Sequence, residues 1–345
     1  MIRFDCDYNT GCHPKILEAL AAANGEQHPG YGTDVHCAWA AALIRTACAV
    51  SDAEADVHFL VGGTQTNATV IAAALRPWEG VLSAASGHIA AHETGAVEAG
   101  GHKVLTLPQT EGKLTAAQLA DAVAAALADP NAEHIVQPGL VYISQPTEYG
   151  TLYSREELSA ISAVCRETGL ALFLDGARLG YALAADTALT LPDYAALCDV
   201  FSIGGTKLGC LFGEAVVITA DALKPCFRNL MKQRGALLAK GWLLGVQFEA
   251  MFTGGLYLEC GRTAVAAAAR IRAALLEAGL PLAFDSPTNQ LFVELTRAQQ
   301  ASLERDFALG RWDTAGGETD VLRICTSWAT TEAQTAALIA AIRAL

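Results

Sequence analysis

The sequence predicts an α/β protein whose main domain is built on a doubly wound, mostly parallel β-sheet. Between residues 57 and 218, short runs of apolar residues alternate with helical stretches. Strands of a parallel sheet are buried on both faces and appear as continuous apolar runs, and helices connect them. After residue 220 the pattern changes to long Ala/Leu-rich helical stretches followed by two strands, which predicts a smaller α+β unit.

The elements follow in chain order. Pro14 favours a first helical turn and starts a helix that runs towards Asn24, and helical spacing predicts a second helix over Val35–Val50. Seven strands are predicted at Val57–Val61, Gly80–Ala84, Val104–Leu107, Leu140–Ser144, Ala171–Leu174, Val200–Ile203 and Ala215–Ile218. Helices are predicted between them at Ala68–Leu75 and at about 88–100, 115–128, 154–168 and 190–198.

The last third of the chain has a different organisation. A helical region over about 234–278 precedes two predicted strands, Gln290–Leu295 and Val321–Cys325, and a final helix from Thr331. We therefore divide the chain into an N-terminal arm (1–14), a large α/β domain (15–240) and a small α+β domain (241–345).

Composition excludes several classes of protein. Of the 345 residues, 52% are hydrophobic and 17% charged, which excludes a disordered chain. The formal net charge of −13 would repel nucleic acid. The low share of charged residues fits a surface that is partly covered by another subunit, and the alternative is a large monomer with an extensive apolar core.

The ten cysteines are scattered, and no two form a Cys-x-x-Cys motif, so neither a zinc ribbon nor a redox dithiol is indicated. The start of the chain lacks the apolar core of a signal peptide, and no apolar run is long enough to span a bilayer. These observations predict a protein of the reducing cytoplasm, with no membrane partner.

The segment Gly62–Asn67 could bind a phosphate. Glycines after a strand allow close approach of a ligand, and a following helix offers free N–H groups. The hydroxyl groups of Thr64 and Thr66 add donors. The alternative is an ordinary turn capped by Thr66 or Asn67.

Two histidines, His88 and His92, are one helical turn apart. Helical zinc motifs place a glutamate between their histidines, whereas alanines stand here, so we predict no metal site at this pair. A flat imidazole could instead pack against an aromatic cofactor. The alternative is a capping or core histidine.

Two successive strand ends carry an acid and a lysine. Asp175 ends one apolar run, and Lys207 follows the next strand, among small and apolar residues that favour a reactive amine. An acid against a pyridine nitrogen and such an amine are the groups that pyridoxal 5′-phosphate (PLP) chemistry requires, because the acid makes the cofactor a strong electron sink. Arg178 suits bidentate binding of a carboxylate. The alternatives are a capping aspartate, a surface arginine and a surface lysine.

Arg323 lies inside an apolar strand, where an arginine is seldom found without an anionic partner. That partner could be structural, with Asp320 and Glu318 as candidates. It could equally be the carboxylate of an amino-acid substrate.

Taken together, these segments resemble the threonine aldolase and β-eliminating lyase family of fold-type I PLP enzymes, over nearly the whole chain. The matching segments are Asp7–Thr10 with His13–Pro14, Tyr31–Asp34, Gly62–Asn67, His88, Asp175–Arg178, Lys207 and Arg323. The resemblance implies an aspartate aminotransferase-like fold.

The resemblance also implies residue roles. Lys207 would bind PLP covalently, Asp175 would pair with the ring nitrogen and His88 would stack on the ring. The phosphate would be held by Gly63, Thr64 and Gln65, with the cations Lys232 and Arg234 nearby. The substrate carboxylate would be held by Arg178 and Arg323, and Thr10 and Tyr31 would line the site, Tyr31 serving either its own or a neighbouring subunit.

The expected reaction is cleavage of a β-hydroxy-α-amino acid into glycine and an aldehyde, with β-elimination as the nearest alternative and amino transfer as a further one. The base for the β-hydroxyl proton stays open among His88, His134, Glu93 and a phosphate-bound water. Gln145–Thr147 departs from the Glu-Asn-Thr common in the family, which leaves the substrate side chain open. A non-enzymatic protein of this fold would be expected to lack the lysine or the aspartate, and both are present.

Fold-type I enzymes usually complete their sites with two subunits. The resemblance therefore implies a homodimer or homotetramer with active sites at the subunit interface.

Overall fold

The computed structural model describes residues 1–185, 188–314 and 319–345. Its strands are β1 (Ile2–Arg3), β2 (Asp56–Leu60), β3 (Glu79–Ala84), β4 (Lys103–Leu107), β5 (Gln137–Ser144), β6 (Ala171–Asp175), β7 (Val200–Gly204), β8 (Glu214–Ile218), β9 (Gln290–Thr296), β10 (Phe307–Ala308), β11 (Gly310–Thr314) and β12 (Thr319–Cys325).

The helices are α1 (Pro14–Ala23), α2 (Val35–Ala47), α3 (Gly63–Ala74), α4 (His88–Ala91), α5 (Ala96–Ala99), α6 (Ala116–Ala128), α7 (Arg155–Thr168), α8 (Leu179–Ala184), α9 (Leu191–Leu197), α10 (Phe227–Gln233), α11 (Trp242–Phe252), α12 (Leu256–Glu277), α13 (Arg297–Leu303) and α14 (Glu332–Arg343). No helix in the described part of the chain is both long and apolar enough to cross a bilayer.

A seven-stranded sheet in the order β2-β8-β7-β6-β5-β3-β4 forms the centre of the molecule. Within it only β8 runs antiparallel to its neighbours, β2 and β7. The other neighbouring pairs are parallel. The predicted α/β fold with a mostly parallel sheet is therefore confirmed.

Successive residues of the central strands contribute to apolar cores on opposite faces of the sheet. Leu172 and Leu174 pack on one face, whereas Phe173 packs on the other. Both faces are covered by helices, which explains why the sequence shows continuous apolar runs here rather than alternation. The seven predicted strands match the observed sheet to within a few residues at their ends.

A separate antiparallel sheet, β11-β12-β9, lies near the chain end with its own apolar core. The long helix α12 joins the two regions, since Ala264 packs in a core of the large sheet and Ile271 in that of the small one. The N-terminal arm adds β1 alongside β10, and Phe4 is buried in the same small core. The domain limits at 14/15 and 240/241 stay predictions.

Three helix predictions differ from the structure. The helix expected over 88–100 is split into α4 and α5, because Thr94 and Gly95 adopt left-handed conformations (φ 52° and 70°). The region 234–278 is split into α11 and α12 by Gly254 and Gly255, which also have positive φ. The helix after β2 begins at Gly63, so neither Thr66 nor Asn67 caps it.

Partly buried His58, in β2, should make the stability of the fold depend on pH. Its side chain is 12% exposed and packs on Phe227, with ring centres 4.9 Å apart. Burial lowers the pKa of His58 to about 4. At a pH between this value and the ordinary histidine pKa of about 6.5, the unfolded chain binds a proton at His58 and the folded chain does not. The free energy of unfolding therefore decreases as the pH falls from about 6.5 to about 4, by on the order of 3 kcal/mol.

We expect His58→Gln to reduce this pH dependence. Between pH 7 and pH 5 the unfolding temperature of the parent protein should fall by about 2–4 °C more than that of the variant. Differential scanning calorimetry would measure both. The variant His134→Gln, at a side chain that is 72% exposed, is the control. Equal pH slopes for the parent and His58→Gln would contradict the assignment.

Candidate active site

The ends of the neighbouring strands β6 and β7 place Asp175 and Lys207 at the same edge of the sheet. The residue that follows β6 packs closely on β7, since a Cβ atom at Gly176 would overlap the carbonyl oxygen of Ser202. The Gly176 N–H donates a hydrogen bond to Ser202 Oγ (2.8 Å). Asp175 and Lys207 consequently line one cavity, at the strand ends where α/β proteins bind ligands.

This inner cavity adjoins a larger one of about 670 Å³. The two share four side chains, His88, Glu148, Arg178 and Lys207. The inner cavity also contains Gly63, Ser144, Pro146, Thr147, Asp175 and Ala177. The outer one adds Tyr8, Ser86, Ala91, His92, Tyr149, Gln290, Arg311, Trp312, Asp313 and Arg323.

Asp175 is 5% exposed and is held as a carboxylate by three donors. Its Oδ2 accepts hydrogen bonds from Tyr142 Oη (2.6 Å) and Asn67 Nδ2 (3.0 Å), and its Oδ1 accepts from the Ala177 N–H (2.9 Å). Burial alone would raise the pKa of Asp175, but attraction to His88 and these hydrogen bonds lower it overall. The side chain is therefore negatively charged at neutral pH.

Lys207 is partly buried, and no described residue forms an ion pair or a hydrogen bond with its amine. Burial lowers the pKa of this amine, and the neighbouring guanidinium of Arg178 lowers it further. Burial also raises the pKa of Glu214, next to it in the protein interior. Both effects favour the neutral amine, which is the nucleophilic form.

His88 is held by a buried carboxylate. The Nδ1 atom of His88 lies 2.7 Å from Glu93 Oε1, and the Glu93 side chain is fully buried. Asn67 Nδ2 donates to the same Glu93 oxygen (2.8 Å) as well as to Asp175. One amide therefore connects the carboxylate behind His88 to the carboxylate at the strand end.

Arg178 forms a bidentate ion pair with the N-terminal arm. Its Nε and Nη2 atoms donate to Asp7 Oδ2 (2.7 Å) and Oδ1 (3.0 Å). Asp7 is itself buried and accepts a further hydrogen bond from Asn289 Nδ2 (2.9 Å). Two of the three guanidinium nitrogens are thus occupied, which leaves Nη1 to meet a ligand.

Arg323 differs from Arg178, because no carboxylate among the described residues lies within ion-pair distance of it. Its Nη2 donates to the carbonyl oxygen of Asp5 (3.0 Å), and its guanidinium carbon lies 5.4 Å from the centre of the Trp312 ring. Asp320, considered above as a partner, does not pair with it, and Glu318 lies outside the described residues. Its positive charge is therefore available to an anion in the outer cavity.

The residues predicted to bind the phosphate line two different cavities. Gly63 lines the inner cavity with Lys207, whereas Thr64, Gln65 and Arg234 line a neighbouring one. The side chain of Gln65 accepts from the Val61 N–H (3.3 Å) and donates to the Arg234 carbonyl oxygen (3.0 Å), so it serves the protein's own backbone. The first turn of α3 has no side-chain cap, and its N–H groups stay free for an anion.

Thr10, Tyr31 and His134 also lie outside the cavities that contain Lys207. Thr10 is exposed in the arm, and Tyr8 lines the outer cavity instead. Tyr31 is 45% exposed and packs on Lys232, with the amine 4.5 Å from the ring centre. His134 is exposed beside Glu133, so it is not a candidate base in this subunit.

Several residues of the site could not be recognised from the sequence. Asp7 and Asn67 lie within the segments that carry the resemblance, but their partners are 171 and 108 residues away. Tyr142 reads as an ordinary core residue of β5. Glu148, whose pKa burial raises, accepts from the His88 N–H (2.9 Å) and carries no motif of its own.

These residues fit PLP. The Lys207 amine has no partner in the described chain, the charged Asp175 lies in the same cavity, and His88 lines it as well. Space is open beside Gly62 and Gly63, where a Cβ atom would meet no other atom within 4 Å. An amine, an acid and an uncapped helix end are the groups that PLP needs.

Comparisons with known proteins agree with this fit. The family described as Beta-eliminating lyase matches residues 4–318. A low specificity L-threonine aldolase from Pseudomonas sp. is 31% identical, over 99% of this chain and 97% of that protein. The solved structure of Leishmania major threonine aldolase is 48% identical, with a TM-score of 0.96, over 100% of this chain and 99% of that one.

The fold is shared more widely. Thermus thermophilus aspartate aminotransferase, at 14% identity, superposes with a TM-score of 0.73 over 100% of this chain and 92% of that one. This likeness confirms the predicted aspartate aminotransferase-like, fold-type I architecture. With the family match over most of its length, the chain belongs to the β-eliminating lyase family and is a PLP-dependent lyase.

Proposed function

We propose that this enzyme cleaves β-hydroxy-α-amino acids of the threonine type into glycine and an aldehyde. The observation that carries the proposal is the joining of Lys207, Asp175, His88 and Arg178 in one cavity, in a chain similar to threonine aldolases at up to 48% identity. Every other feature of the mechanism depends on this group of residues.

Lys207 would hold PLP covalently, Asp175 would face its ring nitrogen, and the first N–H groups of α3 would face its phosphate. The bound cofactor supplies an electron sink for the pair released when the Cα–Cβ bond breaks. The role of Asp175 is to keep a negative charge at a fixed position. Its three hydrogen-bond donors already hold the carboxylate there, so the carboxylate does not have to move during the reaction.

The substrate carboxylate would be held by Arg178 and Arg323. Asp7 already neutralises most of the charge of Arg178 and fixes its orientation, so this arginine mainly positions the carboxylate through Nη1. Arg323 has no carboxylate partner in the described chain and supplies the net positive charge. Two fixed guanidinium groups would restrict rotation of the substrate about its Cα atom.

His88 is the base that the geometry supports for the β-hydroxyl proton. Because the Glu93 carboxylate can only accept at Nδ1, it keeps the proton on that nitrogen of the neutral ring. The Nε2 atom then carries the lone pair and can accept a proton from substrate. Glu93 itself is fully buried behind His88 and acts as a positioning residue.

We expect Glu93→Gln to lower kcat by about 10–100-fold and to change KM less, because the amide no longer fixes the proton on His88. The pH dependence of kcat should change shape in the same variant. Glu93→Asp, which keeps the charge, should retain more activity than Glu93→Gln. Steady-state kinetics over a range of pH measures all three. Equal kcat and equal pH profiles for the parent and Glu93→Gln would exclude the positioning role.

The reaction itself is tested by supplying L-threonine, L-allo-threonine and phenylserine to the PLP-loaded protein. Glycine and the matching aldehyde are the expected products. A 2-oxo acid and ammonia would identify the β-eliminating lyase that is the alternative in this family. The aldolase is favoured by the 48% identity to Leishmania major threonine aldolase over the whole chain.

We also propose a cytoplasmic homodimer or homotetramer with active sites at the subunit interface. Tyr31 is 45% exposed and outside the cavities that contain Lys207, so it could reach a site only across an interface. Trp39 is 60% exposed on the following helix, α2. Ten free cysteines, most of them buried, suit a reducing compartment. Light scattering of the purified protein tests the assembly, and a fully active monomer would contradict it.

A further inference from the structure

Two histidines and a glutamate form a cluster away from the active site, where the loop after α1 meets α2. Glu26 and His28 belong to this loop, and His36 lies in the first turn of α2. None of the three lines the cavities that contain Lys207. Each offers one donor atom, and the three donor atoms lie within 4.8 Å of one another.

The distances within the cluster suit a metal ion. Glu26 Oε2 lies 3.2 Å from His28 Nε2 and 3.4 Å from His36 Nε2. A tetrahedral zinc ion with bonds of about 2.0–2.1 Å separates its ligand atoms by about 3.4 Å. The carboxylate oxygen therefore already lies at ligand spacing from both imidazole nitrogens.

His28 is a ligand candidate whose buried Nε2 atom lacks a hydrogen bond. Its side chain is 5% exposed, and its ring packs beside Trp242 and His36, at 5.2 and 5.0 Å between ring centres. Its Nε2 atom is inaccessible to solvent and has no hydrogen-bond partner among the described residues, because the contact with Glu26 lacks hydrogen-bond geometry. A buried polar atom without a partner is costly, and a bound cation would satisfy it.

His36 has the outer partner that metal-binding histidines usually have. Its Nδ1 atom lies 2.6 Å from Oε2 of Glu249, in α11. A histidine that binds a metal normally donates its other ring N–H to a carboxylate, which fixes the tautomer and orients the ring. With the proton on Nδ1, the lone pair of His36 is on Nε2, the atom nearest Glu26.

We propose that Glu26, His28 and His36 bind a divalent transition-metal ion of the zinc class, with Glu249 as the outer carboxylate. Two imidazole nitrogens and one carboxylate oxygen favour zinc over magnesium or calcium, which prefer oxygen ligands. Water would complete the coordination. The ion would fasten the loop between α1 and α2 to the start of α2 and, through Glu249, to α11, and would therefore be structural.

The test uses the full-length, PLP-loaded protein carrying Cys226→Ser, which removes the exposed cysteine as a competing ligand. After treatment with a chelator, equilibrium dialysis against Zn²⁺ should give one ion per chain. His28→Gln and His36→Gln should each weaken binding at least 10-fold. Glu249→Gln should weaken it about 10–100-fold while one ion still binds. His134→Gln, which removes an exposed histidine beside a glutamate, should bind like the parent.

Co²⁺ and heat denaturation provide independent readouts. Co²⁺ should give the visible absorption of a tetrahedral site in the parent but not in His28→Gln. Zn²⁺ should raise the unfolding temperature of the parent and leave that of His36→Gln unchanged. If a histidine variant fails to fold, Glu26→Gln tests the metal site instead. The Glu26 side chain is 52% exposed, so its replacement leaves the packing intact. Absence of binding to the parent, or parental affinity in these variants, would overturn the proposal.

Discussion

Replacing Lys207 by alanine is expected to abolish the covalent binding of PLP and to reduce aldol cleavage by at least about 10³-fold. The amine has no hydrogen-bond or ion-pair partner among the described residues and lies in the cavity with Asp175, so its loss removes a function without breaking an internal contact. The purified variant should lack the yellow absorption of the bound cofactor. Borohydride reduction followed by mass spectrometry should find PLP attached to the parent and not to Lys207→Ala.

Lys103→Ala is the matched control for this experiment, because Lys103 is an exposed lysine on β4, remote in the chain from the strand ends at 175 and 207. It should keep the absorption, the PLP adduct and the activity of the parent. A Lys207→Ala protein that still carries covalent PLP would transfer the role to another amine and would contradict the site assignment.

Replacing Asp175 by asparagine should lower kcat/KM by about 10²–10³-fold, the range for removing one fixed charge from a reacting centre. The change is nearly isosteric, and an amide oxygen can still accept from Tyr142. The loss should therefore report the missing negative charge rather than a collapsed cavity. Circular dichroism would show a folded protein, and a PLP titration would show weaker retention of the cofactor.

The variant Tyr142→Phe tests the hydrogen bond to Asp175 separately from the negative charge of Asp175. It removes the 2.6 Å hydrogen bond to Asp175 Oδ2 and leaves the Asn67 and Ala177 bonds in place. We expect a decrease in kcat/KM of less than about 10-fold. An Asp175→Asn enzyme within about threefold of parental kcat/KM would show that the carboxylate does not act on the cofactor.

The sequence was sufficient to predict the central sheet and the cavity at its edge. Strands buried on both faces appear as unbroken apolar runs, so the sequence itself indicates β6 and β7. Parallel neighbours end at the same edge of the sheet, so residues that follow those runs must lie close together. For this reason Asp175 and Lys207 could be placed in one cavity.

The contacts that hold the site could not be predicted in the same way. Arg178 pairs with Asp7, 171 residues away, and no local periodicity reports such a contact. The orientation of His88 depends on the end of α4 and on Glu93, and the predicted continuous helix over 88–100 hides this arrangement. Short edge strands such as β10, two residues long, carry too few residues to show any period.

The N-terminal arm also sets when the site can be completed during protein synthesis. Asp7 is synthesised long before its partners Arg178 and Asn289, and the carbonyl oxygen of Asp5 accepts from Arg323. The arm therefore lacks these partners until Arg178, Asn289 and Arg323 have been synthesised. A nascent chain stalled before residue 289 would therefore carry an ordered sheet without a working centre.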